Sequence, residues 1–282
     1  MDVRYHFNSL EDFLVSTTLT VDGQLDDGWG ALFPVKGREI EATVLFADIA
    51  GFSSRTEKLK PAETLVFVNH FFCWMTAEAL RGKSAIVDKY IGDEMMIVFS
   101  REFGSADPFA EALDVGRRMA DRDVFCYCPH IGIASGRVII GYAGTPVKYN
   151  CSVFGAPVTV AARCAGVRYE PRSETDLFSC SIVTPASEWQ GRNFATLFPP
   201  RKVKFPDGKI QEQPVSWELM APRSVPIKNL PDLLVREIVN RSFYIPPGDP
   251  EAWARAAFQG LVRAGGYRPP PTQEVQPLPD EK

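Results

Sequence analysis

The sequence predicts an α+β domain, an antiparallel-rich sheet covered by helices on one face. Three observations carry that expectation. Strand-like runs and stretches of helical spacing follow one another in the order β, α, ββ, α, ββ, α, β. Two of the strand pairs are separated only by turn-forming residues, so they read as hairpins. A chain of 282 residues with 45% hydrophobic and 23% charged side chains is also long enough to bury a substantial core.

Residues 1–40 mix polar, Gly and Asp signals (DGQLDDGWG) with short apolar pieces and read as an irregular N-terminal extension. The main unit spans 41–220. It opens on the β-branched run Glu41 to Phe46, which ends at Asp48, and from Pro61 to Leu80 apolar residues recur at helical spacing. AIVDKY and EMMIVF form a hairpin with Gly92 and Asp93 at its tip, and a helix follows over about Asp107 to Asp121. HIGIAS and RVIIGYAG read as a second hairpin split around Gly136. CSVF then leads through Gly155 into the helix PVTVAARCAG, and SCSIVTP and VSWEL close the set as strands. Residues 221–268 carry two further helical patterns, PDLLVREIV and PEAWARAAFQGLVRA, as a C-terminal helical extension. The Pro-rich, charged tail 269–282 reads as disordered.

Thirty-one basic against 35 acidic side chains give a net charge of −4, which argues against holding nucleic acid by counterion release. The six cysteines lie mostly in apolar runs without a CxxC pair, so neither a zinc site nor a disulfide framework is expected, and a reducing cytoplasm fits. The N-terminus lacks a basic and apolar leader, and no stretch approaches the roughly 20 apolar residues of a membrane helix.

Any phosphate chemistry must therefore be local. Asp48 follows a strand and precedes small and Gly residues, whose backbone N–H groups suit a phosphate cradle. Asp93 sits at a hairpin tip that a neighbouring strand can bring beside Asp48. Two carboxylates next to such a cradle suit Mg2+ or Mn2+, which prefer oxygen ligands and leave positions for substrate phosphates.

FADIAGFS, DKYIGDE, GIASGRVIIGYAG and SVFGAPVTVAAR resemble, in order and spacing, the motifs of class III adenylate and guanylate cyclase catalytic domains, over about Glu41 to Met220. The resemblance implies their ferredoxin-like fold and conversion of a nucleoside triphosphate to a 3′,5′-cyclic nucleotide and pyrophosphate with two divalent metal ions per site, Mn2+ or Mg2+. It places metal ligands on Asp48, the Ile49 carbonyl and Asp93, and triphosphate binding on Ala50, Gly51, Phe52 and Ser53. Base reading falls on Lys89 and Ser152, ribose orientation on Thr159 and transition-state stabilisation on Arg163. It further implies a homodimer whose sites each take Asp48 and Asp93 from one chain and Lys89, Ser152 and Arg163 from the other.

Several positions depart from that family pattern. Lys89 is partnered by Ser152 instead of Asp or Thr, Thr159 stands for Asn, Ala156 for Asp, and His130 for a triphosphate-binding Arg or Lys, a charge that Lys202 or Lys204 would then supply. With the lone cyclase unit, the layout resembles the pyrimidine cyclases of bacterial antiphage (Pycsar-type) systems. UTP is thus the first expectation and ATP the second, with the product read by a separate effector. The rival readings are a catalytically inactive cyclase-fold regulator, a diguanylate cyclase relative suggested by IGDEM, and a nucleic-acid-binding domain. Asp48, Asp93, Lys89 and Arg163 together count against the first, SVFGAPVTVAAR against the second, and the charge balance against the third.

Overall fold

The structure is a computed structural model that describes residues 7, 9–26, 28–81, 84–121, 127–145, 148–168, 180–204, 210–213, 217–226 and 232–240. In chain order the elements begin with α1 (Leu10–Ser16), β1 (Val21–Asp26), β2 (Leu32–Asp48), α2 (Phe52–Thr56) and α3 (Pro61–Leu80). They continue with β3 (Ile86–Ile91), β4 (Glu94–Phe99), α4 (Pro108–Asp121), β5 (His130–Thr145), β6 (Lys148–Phe154) and α5 (Ala156–Ala165). The last are β7 (Ser181–Pro185), α6 (Phe194–Leu197), β8 (Arg201–Lys204), β9 (Ile210–Gln213), β10 (Trp217–Leu219), β11 (Arg223–Val225) and β12 (Leu233–Asn240).

The main sheet runs β10-β12-β7-β5-β2-β4-β3, with β1 on β2, β6 on β5 and β11 on β12. Its pairs are antiparallel except β5–β7, so the α+β, antiparallel-rich expectation holds. The centre is the long β2–β5 ladder from Gly37–Gly141 to Asp48–His130.

Helices cover both faces of this sheet, a correction to the single-face expectation. Leu45 and Ala47 pack with Phe67, Phe71 and Met75 of α3 and with α4, whereas Val44 and Phe46 pack with Phe13 of α1 and Ala161 of α5. Residues 42–47 are buried without alternation; such a run, apolar except for Thr43, is the mark of a strand buried on both sides. Pro61 opens α3 at a position whose N–H needs no helical partner, and Glu63 caps the Lys60 N–H at 2.8 Å.

Three further expectations are corrected. Residues 1–40 are not irregular where described: Ser9 caps α1, and β1 and the start of β2 form a hairpin, with Asp22, Gly23 and Asp26 of the Gly and Asp signals inside β1 and Gly28 and Gly30 in the connection. Gly136 does not end a hairpin, since β5 runs through it; its φ of +150°, and Pro157, which a Cβ there would meet at 3.1 Å, explain a glycine inside a strand. The hairpin is β5–β6, which makes CSVF its second strand. PDLLVREIV is not a helix within a 221–268 helical extension. Leu233–Asn240 is β12, paired with β7, β10 and β11, and its β-branched Val235, Ile238 and Val239 fill the core. PEAWARAAFQGLVRA and the tail 269–282 lie outside the described residues.

Gly132 on β5 positions the functional helix. A Cβ there would lie 2.0 Å from the Ala161 carbonyl oxygen and 2.2 Å from the Ala165 nitrogen, so only glycine lets α5 lie backbone to backbone on the strand. Among the described residues no helix is long and apolar enough to cross a membrane.

Candidate active site

Asp48 is the last residue of β2, and the register sets it between Glu94 on β4 and His130 on β5. Gly92, at φ +63°, makes the tight β3–β4 turn that a side chain would strain, and Asp93 follows it. This brings the Asp93 carboxyl next to that of Asp48, near enough for the two to share a proton. Burial, then the Asp93 hydrogen bond and charge, then Glu94, push the Asp48 carboxyl up to about 7, against the opposing charge of Arg168. Glu94 is raised for the same kind of reason, burial first and Asp93 second.

Two carboxylates forced this close are oxygen donors whose repulsion a divalent cation would relieve, so the pair fits Mg2+ or Mn2+. Among the described residues no group of three or more His, Cys, Asp or Glu side chains is arranged to hold a metal. Further ligands would thus be backbone or substrate oxygens. Ile49 is buried, and its carbonyl accepts a 3.3 Å bond from the Phe52 N–H; one lone pair of that oxygen remains.

The expected triphosphate loop, Ala50 to Ser53, is held from below. Gly51 adopts the left-handed conformation and opens α2. Ala50 spends its N–H on the Tyr127 carbonyl at 3.2 Å. Arg55, 7% exposed, donates to that same carbonyl at 3.1 Å and lies over the Phe67 ring. Tyr127 is tied in turn by its hydroxyl to His70 Nδ1 at 2.6 Å.

Lys89 and Ser152 are brought together as the sequence predicts. The Lys89 ammonium donates to Ser152 Oγ. The sequence did not single out the third member of this cluster, Asp88. Its carboxylate accepts the Ser152 hydroxyl at 2.8 Å and lies 3.5 Å from Lys89 Nζ. Thr159 and Arg163, four residues apart on α5, share one exposed helical face. Among the described residues no hydrogen bond or ion pair joins the Asp48–Asp93 group to Lys89, Ser152, Thr159 or Arg163.

Sequence reasoning also missed Arg168, whose guanidinium lies 3.3 Å from Asp48 Oδ2 and donates at 2.8 Å to the Ala165 carbonyl. His130, burial first and Arg168 second, is pushed down to about 4 and so is neutral at pH 7. It brings no charge to the site. Lys202 lies on β8 and Lys204 ends it, in a two-stranded ribbon separate from the main sheet.

Residues 35–169 match the family model of the adenylate and guanylate cyclase catalytic domain. An uncharacterised protein of Mycobacterium tuberculosis is 32% identical over 156 residues, 54% of this chain and 28% of the relative. The adenylate cyclase of Anabaena cylindrica is 28% identical over 157 residues, 51% of this chain and 29% of the relative. The aligned part is therefore a minor share of those longer proteins. The solved adenylyl cyclase CyaB from P. aeruginosa is similar in fold, with a TM-score of 0.52 at 17% identity over 72% of this chain and 96% of that one. The guanylate cyclase domain of RhGC from Catenaria anguillulae gives 0.51 at 16%, over 72% and 99%. Residues 35–169 are thus similar in sequence to the adenylate and guanylate cyclase catalytic domain, and the chain is similar in fold to a solved adenylyl cyclase.

Proposed function

We propose that this chain is a homodimeric, divalent-metal-dependent nucleotidyl cyclase that converts UTP to 3′,5′-cyclic UMP and pyrophosphate. The observation that carries the reading is the Asp48–Asp93 carboxyl pair at the strand ends. Divalent ions held there, Mn2+ or Mg2+, supply activation of the ribose 3′-hydroxyl and neutralisation of the phosphate oxygens. The anchored loop Ala50 to Ser53 keeps the triphosphate in line, and Thr159 orients the ribose. Arg163 offers a permanent charge and a planar donor fork to the α-phosphate oxygens as negative charge builds on them.

The reading of a site shared between two chains is supported by the lack, among the described residues, of any hydrogen bond or ion pair joining the acidic pair to the Lys89–Ser152 cluster or to Arg163. Each site then takes its carboxylates from one protomer and its base-reading and Arg163 groups from the partner. In that arrangement Ser152 accepts from uracil N3–H while Lys89 donates to O4. The same reading makes the product a second messenger for a separate effector in antiphage defence, as the resemblance to Pycsar-type cyclases implies. ATP is the second reading, favoured by the likeness to the Anabaena cylindrica adenylate cyclase; Lys89 would then donate to N1 and Ser152 accept from the N6 amino group.

The test is incubation of the purified protein with ATP, GTP, CTP and UTP separately, with Mn2+, and identification of products by mass. Cyclic UMP with released pyrophosphate is expected. Cyclic AMP alone would replace the base assignment, and no cyclic product from any triphosphate would end the cyclase reading.

A further inference from the structure

Resting on the cyclase reading, we propose that Asp88 is the residue that sets base preference: it holds the Ser152 proton so that Ser152 and Lys89 meet the nucleobase as one acceptor beside one donor. Three observations carry this.

The first is backbone. On β3, Val87 pairs with Ile97 of β4 and Lys89 with Met96, so Asp88 is an extra residue bulged out of the ladder. Neighbours on a regular strand point to opposite faces. A bulge re-aims them, and here both Asp88 and Lys89 reach the same Ser152 hydroxyl.

The second is burial. The Asp88 side chain is 1% exposed; the Val153 backbone N–H faces its carboxylate, yet Oδ1 makes no close hydrogen bond among the described residues. A buried, half-satisfied carboxylate costs stability, and strand packing alone gives no reason to keep one. A charged acceptor fixed behind a recognition hydroxyl does.

The third is valence. A serine hydroxyl has one proton and two lone pairs. The proton goes to Asp88 and one lone pair receives Lys89, which leaves one lone pair to accept from a base. Lys89 keeps a further N–H to donate. Uracil and guanine present a ring N–H beside an exocyclic oxygen, whereas adenine and cytosine present a bare ring nitrogen beside an amino group. These two patterns are mirror orders of donor and acceptor. With the base held in one pose, its ring edge on Ser152 and its exocyclic group on Lys89, a Ser152 free to rotate could donate to a bare ring nitrogen as well as accept from a ring N–H, whereas a Ser152 held by Asp88 can only accept and so favours the uracil and guanine order.

The test compares kcat/KM for all four triphosphates in wild type, Asp88→Ala, Asp88→Asn and Ser152→Ala, with thermal melts and Mn2+ titrations as controls on folding and on the metal site. In Asp88→Ala the ratio between the preferred triphosphate and the best substrate of the opposite donor–acceptor order should fall about tenfold, the loss expected for one directed hydrogen bond. Asp88→Asn retains an acceptor for the serine proton and should restore most of that ratio. Combining Asp88→Ala with Ser152→Ala should lower it no further than Ser152→Ala alone, because the two act as one device.

If Asp88→Ala slows every triphosphate equally and leaves the ratios unchanged, Asp88 is merely structural and the proposal is overturned. If the wild type cyclises none of the four, the cyclase reading has failed. The calorimetric ranking of triphosphate affinities in wild type and Asp88→Ala then decides the Asp88 proposal on its own: a flattened ranking supports it and an unaltered one overturns it.

Discussion

Arg168 Nη2 lies 3.3 Å from Asp48 Oδ2, so a strand-end carboxylate that fits a metal already faces a cation from its own chain. An incoming divalent ion must displace that guanidinium. The Arg168 side chain is 52% exposed, which makes the pair weak. Arg168→Gln should tighten Mn2+ binding by about two- to fivefold, measured by calorimetry or by the loss of the free Mn2+ electron spin resonance signal. Weaker binding in the variant would show that Arg168 helps the metal site.

The same carboxylate makes metal binding depend on pH. Proton and cation compete for Asp48, which titrates at about 7, so Mn2+ affinity should climb as pH rises through 7 and decline below it. The sign for stability is opposite. Because the folded pKa is raised above the ordinary 3.8, this group's contribution is complete below pH 3.8 and is lost as pH rises through 7. Melting curves without metal should show the loss over that window, and Mn2+ should offset it. A Mn2+ affinity that is flat from pH 5.5 to 8.5 would contradict the assignment.

A shared site predicts complementation. Asp93→Ala and Arg163→Ala should each reduce turnover by about a thousandfold or more, since each removes charge stabilisation from the transition state. Mixed together they should recover activity, because a heterodimer has one site with neither lesion. Persistent inactivity in a sample shown to contain heterodimers would mean that each chain carries its own complete site.

The contact of α5 with β5 can be tested by one methyl group. Gly132→Ala places a Cβ about 2 Å from the backbone of Ala161 and Ala165, and the helix must move away. We expect a loss of about 2–3 kcal/mol, at the upper end for overpacking, with a lower midpoint in urea. Activity should fall further than stability, because Thr159 and Arg163 ride on that helix. A variant with wild-type stability and turnover would show that α5 is not seated there.

Much of the candidate site was legible because it lies where strands end and turns begin. Asp48 closes an apolar run, and Asp93 sits beside the glycine of a hairpin tip, so local signals placed both. Asp88 was not legible. Its role depends on a bulge, and nothing in VDKYI marks which residue leaves the ladder. Arg168 was out of reach for a different reason, being 120 residues from Asp48 in sequence. The error at Leu233–Asn240 is one of period. LLVREIV fits a helical stripe as well as a strand, and what decides is the space between β7 and β10, a tertiary fact.

The anchoring of Ala50 through Tyr127 bears on how the protein would respond to heat. The segment around Gly51 is not left for a ligand to order, because Arg55 and the Ala50 N–H both bind a carbonyl three residues before β5 begins. Its order is thus obtained when the central ladder folds, and association need not supply it. Such a loop does not melt ahead of the domain, as a free-standing lid would. On warming, catalysis and tertiary structure should then disappear at one temperature.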